Sequence, residues 1–223
     1  MTAGRFITFE GGEGSGKSTH AQLLAQQLRS LGVDVVLTRE PGGSPGAEII
    51  RHIILSGAAK HLGAEAELFL FAAARDDHIQ NTIAPALAAG KWVICDRFID
   101  STRVYQGIVG KVNPRLIRGL ERIIVGKTMP DITFIMDVPA DTGLSRAQRR
   151  RGTAQADRFE AERPEFHEML REAFRILARE EVQRCVLIDA SKPKPVVFDQ
   201  IWNAVRARFG IGGGARLPES AAS

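Results

Sequence analysis

One glycine-rich segment constrains the possible folds of this chain more than any other feature. The run Gly11-Gly12-Glu13-Gly14-Ser15-Gly16-Lys17-Ser18-Thr19 fits the pattern G-x-x-x-x-G-K-[ST] of a phosphate-binding loop, or P-loop. Residues 6–9, just before it, are mostly apolar, with aromatic and β-branched side chains, and predict a buried strand. After the loop, apolar residues recur at helical spacing until Gly32, which predicts a helix. This order of strand, loop and helix favours a true P-loop over a chance match.

The P-loop predicts that the chain binds a nucleoside triphosphate, with all of residues 11–19 around the phosphates. Its glycines let successive backbone N–H groups point into one concavity, and the N-terminus of the following helix adds positive partial charge. Lys17 can reach the β- and γ-phosphates, and the Ser18 hydroxyl can ligate Mg²⁺.

Apolar strand-like runs alternate with helical patterns, which is typical of a parallel sheet with crossover helices. We expect one α/β domain over residues 1–209, with the three-layer α/β/α fold of P-loop NTPases, a five-stranded parallel sheet and an arginine-rich lid at about 146–160. The strands are expected at 6–9, 33–38, 92–96, 132–138 and 185–189. Further helices are expected near 47–55, 65–89, 114–125, 141–150, 163–182 and 196–209. Residues 210–223 predict a disordered tail.

Composition argues against membrane and nucleic-acid partners. Of 223 residues, 44% are hydrophobic, and no apolar stretch approaches the ~18 residues of a membrane span. The formal charge is +4, but the basic residues are mostly arginines spread along the chain, which suits small anionic substrates at least as well as a polynucleotide. Cys95 and Cys185 lie in apolar runs and are expected to be buried thiols in a reducing compartment. With no signal peptide before the first strand, a cytoplasmic protein is expected.

Charged residues end the predicted second, third and fourth strands, at the edge of the sheet where functional sites gather. Arg39 precedes the irregular turn Pro41-Gly42-Gly43 and could be either a surface charge or a site residue. Asp96 and Asp137 both end apolar strands, and position alone does not decide which belongs to a Mg²⁺ shell. Asp96 is favoured because Arg97, a candidate phosphate ligand, stands beside it.

The predicted helix around residues 65–75 is apolar around most of its circumference, which is more than one core face requires. Part of it is therefore expected to cover a second buried surface, such as a ligand pocket or a subunit interface. Phe71 and Arg75 lie on one face and could stack on and hydrogen-bond to a base. On spacing alone, a core phenylalanine and a surface arginine are the simpler interpretation.

The ordered set of motifs from Arg5 to Phe209 resembles that of thymidylate kinases in their bacterial form. The set comprises Phe9-Glu10 with the P-loop, Thr38-Arg39-Glu40-Pro41-Gly42-Gly43, Phe71-Ala72-Ala73-Ala74-Arg75, Asp96-Arg97-Phe98, Ser101, Tyr105-Gln106-Gly107 and Asp157-Arg158-Phe159. The P-loop marks only a superfamily, whereas the Arg-Glu-Pro-Gly-Gly turn and the Tyr-Gln-Gly segment are far more specific. Phe98 stands where tyrosine is common in the family.

This resemblance implies that the chain transfers the γ-phosphoryl group of ATP to dTMP, giving dTDP and ADP for dTTP synthesis. It also implies a homodimer that uses Mg²⁺. Thymine would stack on Phe71, with Arg75 and Gln106 reading its polar edge and Ser101 nearby. Tyr105 would lie against the sugar, where a ribose 2′-hydroxyl group would project.

The resemblance also implies residues for the phosphate, the metal and adenine. The dTMP phosphate would be held by three arginines, Arg39, Arg51 and Arg97. Glu13 would face the sugar 3′-hydroxyl group or its water shell, and Asp96 would join Ser18 in organising Mg²⁺. The loop Asp189-Ala190-Ser191-Lys192-Pro193 would lie near adenine, without assigned roles.

The lid is the expected source of positive charge in the transition state. An acceptor phosphate is already ionised near neutral pH, so transfer requires charge stabilisation more than a general base. Glu13 stands where some related kinases carry a basic residue, so the cation must come from elsewhere. Four lid arginines are candidates for this catalytic finger: Arg149, Arg150, Arg151 and Arg158. Lys17 and Arg97 complete the expected catalytic set.

Three rival functions are weaker on this sequence. Another nucleoside monophosphate or deoxynucleoside kinase would share the phosphate machinery and differ only in the acceptor pocket. A GTP-dependent switch is disfavoured because no Asn-Lys-x-Asp motif occurs, and a nucleic-acid-binding ATPase because no aromatic-interleaved basic surface does. The five histidines show no metal spacing or triad and are expected to be surface residues or hydrogen-bonded ones.

Overall fold

A parallel five-stranded sheet forms the centre of the computed structural model, which describes residues 4–153 and 158–211. The strand order is β2-β3-β1-β4-β5. The strands are β1 Phe6–Glu10, β2 Val35–Arg39, β3 Trp92–Asp96, β4 Ile132–Asp137 and β5 Cys185–Asp189. All five predicted strands are present. The second begins two residues later than predicted, because the Val33 N–H still donates to the Leu28 carbonyl in the turn that closes the first helix.

Helices flank the sheet on both sides. They are α1 Lys17–Ser30, α2 Pro45–Leu55, α3 Ala64–His78, α4 Ala84–Ala88, α5 Ile99–Thr102, α6 Pro114–Ile124, α7 Ala140–Arg151, α8 Pro164–Glu180 and α9 Lys194–Phe209. A π-helical turn at Ile79–Ile83 joins α3 to α4, a second at Arg103–Val109 extends α5, and a 3₁₀ turn lies at Lys60–Leu62. Within the described residues, no helix is long and apolar enough to span a bilayer.

The three central strands, β3, β1 and β4, are buried on both faces, as their near-continuous apolar sequences require. On one face, Ile7 and Phe9 of β1 pack with residues of α1 and α9. On the other, Phe6 and Val93 pack with the π-helical turn after α3, while Ile135 of β4 packs against α8. These are the three layers that the alternation of strands and helices predicts. Both cysteines are buried free thiols, as expected.

The segment 99–109 was not predicted to be helical, and the structure corrects this. Its π-helical turn buries Val104 in the core, while Tyr105 and Gln106 line a cavity. Because polar and apolar residues there serve two different surfaces, no clean apolar stripe marks the helix. The predicted helix 65–89 is present, but the π-helical turn interrupts its regular winding.

The P-loop packs directly on α7 through two facing glycines. A side chain at Gly14, which has φ +64°, would place Cβ 1.9 Å from the Gly143 carbonyl oxygen. A Cβ at Gly143 would lie 2.4 Å from the Glu13 carbonyl oxygen. This backbone approach positions the loop against the helix that leads into the lid.

We expect Gly143→Ala to lower the free energy of unfolding and to weaken ATP binding, because the new methyl group would push the P-loop off α7. Gly119→Ala is the matched control, since a Cβ at that α6 position meets no atom within 4 Å. Both changes add roughly 1 kcal/mol of helix propensity, so Gly119→Ala should be stabilising. Urea unfolding and ATP titration would check this, and equal stabilisation by the two variants would contradict it.

Candidate functional site

A cavity of about 340 Å³ lies at the carboxyl edge of the sheet and continues from the P-loop to α3. Its walls contain most of the predicted site residues: Glu13, Gly14, Gly16, Lys17, Ser18, Thr19, Arg39, Arg51, Phe71, Arg75, Asp96, Arg97, Ser101, Tyr105, Gln106 and Arg150. Gly11 and Gly12 line a smaller adjoining cavity. Ser15 is buried beneath the loop, and three lid arginines, Arg149, Arg151 and Arg158, do not line the main cavity.

The P-loop surrounds a concavity, and the Lys17 side chain contacts the backbone of the loop. Its Nζ donates to the carbonyl oxygens of Gly11, at 3.1 Å, and Gly12, at 2.6 Å. Burial, followed by the positive charge of Arg97, lowers the pKa of Lys17 to about 8. A phosphate group in the concavity would favour the charged ammonium by adding negative charge.

Two oxygen-bearing side chains meet beside the loop where a Mg²⁺ ion would bind. The Ser18 hydroxyl donates to the Asp96 carboxylate. Asp137, the alternative, is engaged by Arg171 Nε at 2.7 Å and faces the smaller cavity. The geometry therefore favours Asp96 over Asp137 as a Mg²⁺ ligand, as the adjacent Arg97 suggested in the sequence.

The oxygen ligands present fit Mg²⁺, which commonly takes only one or two protein oxygens and completes its shell with phosphate and water. In keeping with this, residues 4–153 and 158–211 contain no group of three His, Cys, Asp or Glu side chains arranged to hold a metal.

Arg97 connects the P-loop with the cavity. Its Nη2 lies 2.5 Å from Glu13 Oε1, its Nη1 donates to the Gly11 carbonyl at 3.0 Å, and its guanidinium lies over the Tyr105 ring at 5.3 Å. Burial raises the pKa of Glu13, but the positive charges of Arg97 and Lys17 outweigh it and lower that pKa to about 2. Glu13 is therefore anionic throughout the physiological range and keeps Arg97 directed into the cavity.

The far wall of the cavity is built by α3 and by the π-helical turn after α5. The Phe71 ring faces Phe159 of the lid across 6.3 Å. Tyr105 packs edge-on against the same Phe159 ring at 5.4 Å. Gln106, next to Tyr105 in sequence, also lines the cavity because the π-helical winding turns both side chains inward.

Arg75 is not the surface residue that its spacing alone favoured. Its side chain is only 3% exposed and reaches Glu40, the Thr102 hydroxyl at 2.9 Å and the Phe98 carbonyl at 3.0 Å. The resemblance to thymidylate kinases found this residue, whereas helical periodicity did not. Its ion-pair partner lies 35 residues away, so no local pattern reports it.

The lid arginines fall into three groups. Arg149 Nε reaches the Ser145 carbonyl of its own helix at 3.4 Å. Glu160 pairs with Arg150 at 3.1 Å and with Arg151 at 2.6 Å.

The third group is Arg158, which pairs with the buried Glu67 of α3 at 2.8 Å, while Lys60 pairs with Glu162 at 3.1 Å. These two ion pairs tie the lid to α3 and the turn before it. Residues 154–157, including Asp157 of the predicted motif, lie outside the described residues, as do 1–3 and 212–223.

The remaining predicted features have mixed outcomes. Near the loop proposed for adenine, Arg146 Nη1 donates to the Ala190 carbonyl at 2.8 Å. His52 and His61 are exposed, as expected. His20 and His78 are buried and hydrogen-bonded. His167 is buried, and its Nε2 has no hydrogen-bond partner within the described part of the chain.

Sequence reasoning missed Glu10, a fully buried carboxylate at the end of the central strand. Its Oε1 accepts from the backbone N–H groups of Phe98, at 2.7 Å, and Ser101, at 3.2 Å. Its Oε2 accepts from the Ser101 hydroxyl at 2.6 Å. A sequence signal existed, because Glu10 ends an apolar strand just as Asp96 and Asp137 do.

We expect Glu10 to make stability depend on pH. Burial, followed by the charge of Asp100, raises its pKa from 4.5 to about 7. The folded chain thus holds this proton more tightly than the unfolded chain, so the free energy of unfolding should fall as pH rises from about 4.5 to about 7. Glu10→Gln retains one oxygen to accept from the two N–H groups and an amide that can donate to the Ser101 hydroxyl, does not titrate, and should flatten this contribution. Urea unfolding between pH 5 and pH 8 tests it, and parallel curves for both proteins would contradict it.

Known proteins resemble this chain over most of its length. A family model described as thymidylate kinase matches residues 9–201. A thymidylate kinase of Rhodopseudomonas palustris (strain BisB18) is 60% identical over 210 residues, covering 93% of this chain and 91% of the relative. One from Bradyrhizobium sp. (strain ORS 278) is 58% identical over 206 residues, covering 92% and 91%.

A solved structure shares the fold as well as the sequence pattern. The crystal structure of thymidylate kinase from Ehrlichia chaffeensis superposes with a TM-score of 0.73 at 36% identity and covers 91% of this chain and 99% of that one. The chain therefore belongs to the thymidylate kinase family, an ATP-dependent group of nucleoside monophosphate kinases that convert dTMP to dTDP, as its motifs predicted.

Proposed function

We propose that this chain phosphorylates dTMP in the 340 Å³ cavity, with ATP on the P-loop side and dTMP on the α3 side. The observation that carries this proposal is the continuity of the cavity, which joins Lys17 and Ser18 at one end to Phe71 and Gln106 at the other. A donor phosphate and an acceptor nucleotide can thus meet in one space, which in-line phosphoryl transfer requires.

On the donor side, residues 11–19 bind the triphosphate through backbone N–H groups, the Lys17 ammonium and the start of α1. Ser18 and Asp96 would hold Mg²⁺ beside the phosphates, where the bound ion would supply positive charge against the negative charge that develops during transfer. The loop at 189–193, against which Arg146 is fastened, borders the adenine.

On the acceptor side, three arginines with different restraints bind the dTMP phosphate. Arg97 is almost buried and held by Glu13. Arg51 Nη1 donates to the Pro41 carbonyl at 2.5 Å, which places it at the same turn. Arg39 is more than half exposed and pairs with Glu48 at 3.0 Å. A solvated pair of this kind is weak, so an incoming phosphate can take Arg39 from Glu48.

The base and sugar occupy the aromatic part of the cavity. Thymine stacks on Phe71, with Arg75 and Gln106 at its polar edge and Ser101 nearby. Tyr105 closes the space beside the sugar, and its hydroxyl lies 3.4 Å from Glu13 Oε1. Burial raises the pKa of Tyr105 well above its ordinary value, so the ring stays neutral beside the sugar. Glu13, beside Tyr105, can accept a hydrogen bond from the 3′-hydroxyl group of the sugar.

Among the lid arginines, Arg150 is the best placed to stabilise the transferring group. It lines the cavity, and its positive charge contributes to the lowered pKa of Glu13, beside the P-loop. Arg158 forms an ion pair with Glu67. Arg151 forms an ion pair with Glu160 and does not line the cavity. We therefore assign the finger to Arg150 and a tethering role to Arg158.

Arg150→Ala should lower kcat by about 10³-fold while changing the KM for dTMP little, because the lost charge acts on the transition state. Arg149→Ala is the matched control, since this arginine neighbours Arg150 on α7 but does not line the cavity; it should stay within about fivefold of the parent kcat. Steady-state kinetics of the full set of lid alanine variants would check this. A kcat within a few fold of the parent for every variant would overturn the finger mechanism.

The function itself is tested by ADP release with ATP and Mg²⁺ against dTMP, dUMP, UMP, dCMP, AMP and GMP. A clear preference for dTMP supports the proposal. Preference for another monophosphate would retain the kinase and overturn the base pocket. ATP binding without transfer to any of them would favour a nucleotide switch.

We also propose a homodimer formed through α2 and α3. Ile49, Ile53 and Phe69 on these helices are 66%, 42% and 50% exposed, which is a large apolar surface for one edge of the molecule. Sedimentation at micromolar concentration tests this, and one chain per particle would contradict it. A cytoplasmic location, which fits the two free thiols, is tested by cell fractionation.

A further inference from the structure

A buried chain of hydrogen bonds lies behind the base end of the cavity. The Thr38 hydroxyl lies 2.7 Å from His78 Nε2. His78 Nδ1 lies 3.0 Å from Glu40 Oε1. The other Glu40 oxygen, Oε2, accepts from Arg75 Nε at 2.8 Å and lies 2.7 Å from Nη2 in the same ion pair. The proposed function uses only the last member of this chain, Arg75, and leaves His78 without a role.

These groups are buried, so the loss of any one of their hydrogen bonds is energetically costly. The side chains of His78, Glu40 and Arg75 are 0%, 4% and 3% exposed. A buried carboxylate oxygen without a donor is costly, because no water replaces the lost hydrogen bond. Glu40 Oε1 obtains its donor from His78. Without this donor, the Glu40 carboxylate would lower its free energy by rotating toward another donor. It would then leave the orientation in which Oε2 accepts from Arg75.

The partners define how His78 is protonated at its two nitrogens. A carboxylate accepts only, so Nδ1 carries a hydrogen toward Glu40. In the neutral ring Nε2 is then an acceptor, and the Thr38 hydroxyl donates to it. Glu40 therefore fixes the tautomer, and the Thr38 hydroxyl, which can donate or accept, stabilises it by donating to Nε2.

The Gly43 turn is shaped to admit this histidine. A Cβ at Gly43 would lie 2.4 Å from both His78 Nε2 and Thr38 Oγ1, and the residue has φ +90°. The Thr82 hydroxyl, in the π-helical turn just after His78, donates to the Gly43 carbonyl at 2.8 Å. The turn and the end of α3 are thus fitted to each other around the His78 ring.

Arg75 has little freedom once this chain is complete. Glu40 accepts from Nε and forms an ion pair with Nη2, the Phe98 carbonyl accepts from Nη2, and the Thr102 hydroxyl accepts from Nη1. A guanidinium has only N–H donors. Thymine presents a carbonyl oxygen at the position where cytosine presents an amino group, so a fixed guanidinium accepts the first and opposes the second. A mobile guanidinium would turn away from the amino group and lose this discrimination.

We propose that His78 is a positioning residue for base selection, which holds Glu40 so that Arg75 presents to thymine an N–H group that its protein partners do not use, and rejects cytosine. This inference rests on the proposed binding of dTMP at Phe71 and Arg75. It adds a specificity role for a residue that touches neither the base nor the phosphates.

Three substitutions at residue 78 separate the two hydrogen bonds of the ring. His78→Leu removes both. In His78→Asn the amide nitrogen stands near the position of Nδ1 and can still donate to Glu40. In His78→Gln the amide reaches the position of Nε2, toward Thr38, and leaves Glu40 without its donor. His61→Leu, at an exposed position, controls for loss of a histidine elsewhere.

We expect His78→Leu to raise the KM for dTMP about tenfold and to lower the ratio of kcat/KM for dTMP over dCMP by a similar factor. The KM for ATP should not change. His78→Asn should recover most of the ratio, and His78→Gln should not. Loss of packing alone would not produce this pattern, because it would not leave the KM for ATP unchanged while giving different dTMP-over-dCMP ratios for His78→Asn and His78→Gln.

The proposal is overturned if His78→Leu keeps the dTMP-over-dCMP ratio of the parent, or if His78→Asn is no better than His78→Gln. Should His78→Leu not fold, Thr38→Val removes only the outer bond and should lower the ratio in the same direction to a smaller extent. A parent chain that does not prefer dTMP would instead refute the proposed function. A parent that prefers dTMP, with variants that keep this preference, would refute the role of His78 alone.

Discussion

The acceptor half of the site depends on one buried interaction, the acceptance by Glu10 of three hydrogen bonds from the segment that follows β3. This segment leaves the strand through Arg97, a non-glycine residue with φ +70°, and such a conformation persists only where the surroundings impose it. Glu10 imposes it from the central strand. As a result Arg97 turns back toward the P-loop, and α5 begins in the direction that brings Tyr105 to the cavity.

Six arginines of the site pair with carboxylates. The pairs are Arg97–Glu13, Arg75–Glu40, Arg39–Glu48, Arg150–Glu160, Arg151–Glu160 and Arg158–Glu67. Buried members of this set keep their geometry because an unpaired buried charge is strongly unfavourable. Exposed members exchange partners at small cost. The site is therefore prepared for two polyanions by a rigid interior and an adaptable rim.

The fold was largely predictable because its signals are local. Each strand is a short apolar run, and the P-loop stands between a strand and a helix with a clear stripe. What escaped prediction depends on partners distant in sequence. Glu10 is recognisable only once Phe98 and Ser101 are placed beside it, and the π-helical segment has no single apolar face. The roles of Phe71 and Arg75 came from the family resemblance, since spacing alone favoured core and surface.

The tether between Arg158 and Glu67 has a consequence for how substrates communicate. Glu67 and Phe71 are one helical turn apart on the same face of α3, separated by about 6 Å along the axis. The lid and Phe71, the residue on which we propose that thymine stacks, therefore share a single rigid element. If a lid held on Glu67 strengthens the binding of dTMP, then bound dTMP must stabilise the held lid by the same free energy, since such coupling is reciprocal.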